Sequence, residues 1–150
     1  MKRRWAQIVI VVAIIVFGMV FLWWQMFSRQ PKLQLANTTF EATVLETKED
    51  KIRGLSGTES LAKNQAMLFD FEHEDTWGIW MKDMNYAIDI IWIDSESRVI
   101  FMVADAQPSS YPDTVYKPSK QARYVIETIS GTIERTGLKM GDIVTLPSGE

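Results

Sequence analysis

The chain has no cysteine and a single histidine, His73, in 150 residues. The first absence excludes disulfide scaffolds, thiolate nucleophiles and Cys-ligated zinc or iron–sulfur centres. The second leaves little material for a Ser-His-Asp triad or a multi-histidine metal site. His73-Glu74-Asp75 reads as a solvated turn, because adjacent residues do not converge on one ion without special geometry. No metal and no other cofactor is expected. The glycines form no phosphate-cradling or dinucleotide-binding pattern, and Gly54-Leu55-Ser56-Gly57 falls short of a nucleophile elbow. Basic charge is also scarce in the body. Residues 1–30 carry four basic side chains and no acid, whereas the remaining 120 carry 12 basic against 19 acidic, a net charge of −7. Phosphate affinity comes from clustered Lys and Arg, so no nucleic-acid partner is expected.

What is present first is a greasy leader. Of residues 1–30, 21 are apolar, and Ile8 to Trp24 runs without a charge. Widened to Trp5–Phe27, the stretch as a helix is about 35 Å long, enough for a hydrocarbon core of about 30 Å. Trp5, Trp23 and Trp24 fall at the two headgroup levels, and Lys2, Arg3 and Arg4 outweigh the basic residues beyond the run. The expectation is a membrane partner through residues 5–27: a single-pass cell-membrane anchor over 1–30, its N-terminus cytoplasmic, and a domain at 31–150 outside the cytoplasm. The alternative is a cleaved signal and secretion, which the bulky exit FLWWQMFSRQ disfavours.

In the body, Thr39–Leu45 alternates as a half-buried strand. Thr47, with Asp50 three residues on, is a capping-box pattern for a short helix over Lys48–Arg53, ended by Gly54. Ala66–Phe71, Trp77–Lys82, Ile88–Ile93, Arg98–Val103, Arg123–Ile129 and Ile143–Leu146 are strand-length and rich in aromatic and β-branched residues. Ser130 is expected to cap a helical turn before Gly137. Residues 104–122 hold three prolines and no periodicity. The fold expected is mainly β (β-rich α+β): a small antiparallel barrel-like or sandwich domain with two or three short helices.

Arg53-Gly54-Leu55-Ser56, Met67-Leu68-Phe69, Trp80-Met81-Lys82-Asp83, Ile88-Asp89-Ile90, Ala122-x-Tyr124-Val125-Ile126-Glu127, Gly131 and Gly141-Asp142 form an ordered set. The set resembles the bacterial and archaeal domain of unknown function 192, over roughly Leu35 to Leu146. Ala66 stands where that family usually has Gly, and Ile126 where it often has Leu. The resemblance implies a small β-rich barrel-like domain, exported in many members, with no established activity.

Several side chains are candidates for chemistry. With Ile79 and Met81 turned inward, Trp80 and Lys82 make an aromatic and cationic surface suited to an envelope glycan or a small anionic ligand. Lys82 otherwise neutralises Asp83 or Asp89. Asp89 lies in an apolar strand, where a carboxylate is costly unless paired. Its expected partners are Lys82, Arg53 or the backbone of the Met84–Ala87 turn. Glu127 offers a second carboxylate, either structural or the partner of Asp89 in an acid–base pair. Tyr111 and Tyr116, between prolines, either rim a pocket or strap the body. Three functions follow. The first is a non-catalytic binding or accessory module using Arg53, Trp80, Lys82, Asp83, Asp89, Tyr111 and Tyr116. The second is an envelope hydrolase using Asp89 and Glu127. The third is a structural component of a membrane complex using Gly18 for helix contact.

Overall fold

The computed structural model describes residues 12–23 and 30–147 and divides into two compact units, Met1–Gln30 and Pro31–Glu150. In the first, residues 12–23 are helical, and their large apolar side chains lie exposed. Among the described residues no helix is long and apolar enough to cross a membrane. The span expected over 5–27 extends into residues outside the described ones.

The second unit is built on six strands: β1 Lys32–Leu35, β2 Thr38–Leu45, β3 Gln65–Asp75, β4 Ile88–Ile93, β5 Val99–Ala106 and β6 Ala122–Ile129. Helix α1, Lys48–Arg53, joins β2 to β3, a 3-10 turn covers Pro108–Ser110, and α2, Thr132–Thr136, follows β6. The sheet order is β1-β2-β3-β6-β4-β5, with β2–β3 parallel and the other pairs antiparallel. A short crossover through α1 accounts for the parallel pair.

The domain is mainly β with a few short helices, as expected, but its single sheet is open and does not close into a barrel. The C-terminal segment spans the two edges: Thr145 bridges Gln34 of β1, and Gly141, Asp142 and Val144 bond the backbone at Ser97 and Val99, around the start of β5. Alternate residues of that segment bond to opposite edges, so Ile143–Leu146 is not a seventh ladder strand.

Other local expectations shift for identifiable reasons. β1, which opens at Lys32, has no counterpart among the expected strands. His73–Asp75 is not a turn but the end of β3, carried past an irregularity after Asp70 by Glu72 at a φ of 65°. Trp77–Lys82 is not a ladder strand. Only Ile79 pairs, exchanging two 2.8 Å backbone bonds with Tyr116, in a facing segment whose prolines lack donors. Thr47 does cap α1, accepting from the Asp50 amide at 3.1 Å. Ser130 does not cap α2: Gly131 holds that position in the left-handed region, and Ser130 Oγ instead donates to Asp105 at 2.6 Å.

Both sheet faces are buried, which explains why β4 has no exposed residue. On one face every strand contributes to a core that includes Leu33, Phe40, Leu68, Ile91, Val99 and Ile126, completed by Leu138 and Val144. On the other, Phe69, Ile90, Trp92 and Val125 are covered by loop residues Leu55, Ile79 and Met81. The first face is closed by Ile133 of α2 and by Leu138, Val144 and Leu146, the second by loops, and the candidate site lies on the second.

Candidate functional site

β6 is central, so each of its side chains lies between β3 and β4. Glu127 is opposite Met67 on β3 and Ile90 on β4, which places it on the loop-covered face. It is 4% exposed, and no described residue donates to its Oε2. Burial pushes its carboxyl up to about 8, so at neutral pH the group is mostly protonated. Gly54, which ends α1 at a φ of 49°, lies over it. A side chain there would come 3.2 Å from Phe69 Cζ and 3.8 Å from Glu127 Oε2. The glycine permits both the turn and the close approach.

Glu127 and Phe69 belong to the inner wall of a cavity of about 530 Å³, with Leu55 and Ile79 also buried there. One side is an aromatic series: Phe69 and Phe71 have centroids 6.1 Å apart, and Phe71 stacks on Trp77 at 4.1 Å. His73 meets the Trp77 edge at 5.0 Å. The rim is exposed and mixed in charge: Glu46, Lys48, Arg53, Glu72 and Trp80 all line it. Lys51 lies over the Phe71 ring, its Nζ 5.9 Å from the centroid. The enclosure can hold a mostly apolar molecule against flat rings, with one neutral carboxyl free to donate or accept a hydrogen bond. Among the described residues no group of three His, Asp or Glu side chains is placed to hold a metal ion.

Of the residues singled out from sequence, Arg53, Trp80 and Glu127 line this cavity, while Lys82, Asp83, Asp89, Tyr111 and Tyr116 do not. Ile79 and Met81 are buried and Trp80 and Lys82 exposed, as the alternation implies. Lys82 and Asp83 act through their backbone. Ser56 Oγ donates to the Lys82 carbonyl at 2.7 Å, and the Gly57 amide to the Asp83 carbonyl at 2.8 Å. These bonds tie the 54–58 loop to the one after Trp80. Tyr116 pairs with Ile79 and packs into the loop-covered core, and Tyr111 is exposed, so residues 111–116 strap the body and do not rim the cavity.

Asp89 is the main correction. It lies opposite Thr128, one position from the Ile90–Glu127 pair, so it points to the other face. The two carboxyls therefore face opposite sides of the sheet, which is not the shared cleft an acid–base pair needs. Nor is Asp89 compensated by Lys82, Arg53 or the Met84–Ala87 turn. Its oxygens accept from the backbone amides of Ile133 at 2.7 Å, Asp105 at 2.9 Å and Gly131 at 3.3 Å. It supplies the cap that α2 lacks locally and ties β5 to that helix.

Phe71, Trp77, Lys51 and Leu55 were not singled out from sequence. The available signal was the period-two series Met67, Phe69, Phe71 on the face that also carries Glu127.

The family model of DUF192, described as "Uncharacterized ACR", matches residues 31–146. The chain belongs to the DUF192 family. A crystal structure of a protein of unknown function from Novosphingobium aromaticivorans is similar at a TM-score of 0.70 and 25% identity, covering 75% of this chain and 82% of that one. Another, from Sinorhizobium meliloti and named as a candidate transcription regulator, is similar at 0.69 and 24%, covering 77% and 92%. The latter likeness speaks to the fold alone. No curated protein matches this DUF192 chain.

Proposed function

We propose that this DUF192 chain is a membrane-anchored binding module whose body lies outside the cytoplasm and takes a small, largely apolar ligand beside Glu127. One observation carries the reading: a buried carboxyl whose Oε2 no described residue meets, in the wall of an aromatic cavity of about 530 Å³. An unpaired buried polar atom costs about 1–3 kcal/mol, and a ligand that bonds to it recovers that cost. The apolar leader, with its exposed side chains at 12–23, supports the anchor, since such a surface is poorly tolerated in water.

A second reading, an envelope hydrolase, keeps Glu127 as a general acid, because its raised pKa suits proton donation near neutrality. Its other carboxylate would come from Glu46 or Glu72, which line the same cavity.

A thermal-shift screen of the full-length chain against small metabolites tests the binding reading. Binding to the native state raises the melting temperature, by an amount that grows with concentration. The expected hit loses its effect in both Glu127→Gln and Phe71→Ala. A hit indifferent to both substitutions would place binding elsewhere and overturn the proposal. Turnover of a hit would instead favour the hydrolase. For the anchor, carbonate-washed membranes should retain the chain, and recovery in the soluble fraction would refute it.

A further inference from the structure

The cavity's charges are not spread like its apolar surface. Lys48, Lys51 and Arg53 all come from α1 and all line it, in a body that is otherwise acidic. Arg53 is engaged by Asp50 at 2.5 Å. Lys51 meets Glu72 only at 3.9 Å, the long limit of an ion pair, although its side chain is 13% exposed. Lys48 makes no ion pair among the described residues. Two ammonium groups are therefore weakly countered, at the rim of an enclosure whose side wall is the Phe71–Trp77 stack. The remaining charged groups at the rim are Glu46 and Glu72, the latter already turned toward Lys51.

Resting on the cavity reading above, we propose that the ligand is an amphipathic organic anion. A carboxylate or sulfonate lies at Lys48 and Lys51, and an apolar body of one or two rings lies along Phe71 and Trp77 toward Glu127. A flat ring extends the aromatic series without disturbing it, and stacked or edge contacts favour rings over flexible chains. The volume suits a ligand of that size. An anion replaces Glu72 as the partner of Lys51, and the Lys48 ammonium adds a second donor. A cationic ligand instead meets two ammonium groups on entry. The neutral Glu127 carboxyl discriminates by hydrogen bonding, not by charge, so it accommodates the inner edge of a ring bearing an acceptor.

The test is calorimetric titration of the full-length chain with three probes that share one ring system: naphthoate, neutral naphthamide and naphthylmethylammonium. Naphthoate is expected to bind about fivefold to tenfold more tightly than naphthamide. The double substitution Lys48→Ala with Lys51→Ala should erase the preference, so that within that variant naphthoate and naphthamide bind equally. Phe71→Ala should weaken both. If naphthamide binds in a Phe71-dependent way but naphthoate gains nothing, the cavity reading stands and the anion proposal fails. Tightest binding by the ammonium probe also overturns it, because Glu127 would then be acting as a counter-ion. If no probe binds, the anion proposal and the cavity reading fail together.

Discussion

Asp89 and Glu127 are on neighbouring strands one register position apart, both almost wholly buried, and their surroundings treat them in opposite ways. Asp89 faces the side of the sheet closed by α2 and the C-terminal segment, and three backbone amides point at it. Glu127 faces the side closed by loops, and its Oε2 meets no donor. The same chemical group serves as a structural cap on one face and as an unsatisfied acid on the other. The difference comes from the neighbours. A helix start brings unpaired amides to Asp89, whereas no described group donates to Glu127 Oε2 beside Phe69 and the Gly54 turn.

The most damaging way to disturb this contrast is Asp89→Ala. Three backbone amides lose their buried acceptor at once, and α2 loses its cap. Each orphaned donor costs about 1–3 kcal/mol, so a total destabilisation of about 4 kcal/mol is expected. Denaturant unfolding measures it. Asp89→Asn keeps an acceptor and should lose less than half as much. A neutral Asp89→Ala would show that the amides find other partners and that the cap is dispensable.

Glu127 should respond to pH with the opposite economy. Its folded pKa is raised to about 8, while in the unfolded chain the group titrates near 4.5. Below the unfolded value both states hold the proton and the group does not tilt stability. Between the two values the unfolded chain releases a proton that the folded protein keeps, so stability falls as pH rises, by up to about 1.4 kcal/mol per pH unit. Above the folded value the loss is complete. Unfolding curves at pH 5 and pH 8 should therefore differ in the wild type by about 4 kcal/mol at most, and Glu127→Gln should remove most of that difference. Equal slopes in wild type and variant would mean that Glu127 is solvated.

The contrast between faces also explains what could be read from the chain beforehand. The alternation of Phe40, Ala42 and Val44 and the two-sided apolarity of Ile88–Ile93 are local patterns, and both became strands in the expected place. Thr47 capping α1 is local as well. Closure was not legible, because whether β1 meets β5 depends on sheet curvature, which no short run encodes. The site was half legible. Arg53, Trp80 and Glu127 carry polar or aromatic groups in unusual settings and drew attention. The pairing of Asp89 with Glu127 failed because both lie in apolar strands, and only the register between β4 and β6 reveals that they face apart. Phe71 and Trp77 pass as ordinary core residues until β3 and the following loop bring them together.

The smallest expected effect concerns Lys82, which the sequence offers as a counter-charge for Asp83 or Asp89. Lys82 is exposed, and the bond that matters at its position is accepted by its backbone carbonyl from Ser56. Removing the side chain takes away no ion pair among the described residues and opens no core. Lys82→Ala should therefore change stability by no more than about 0.5 kcal/mol, the range of an ordinary surface substitution. It should also leave the pH dependence assigned to Glu127 where it was. That second readout is the sharper one, since a cation within reach of a buried carboxyl lowers its pKa strongly. A displaced midpoint in Lys82→Ala would mean that the ammonium reaches the loop-covered face, and that the two acids differ less in their surroundings than the sheet register implies.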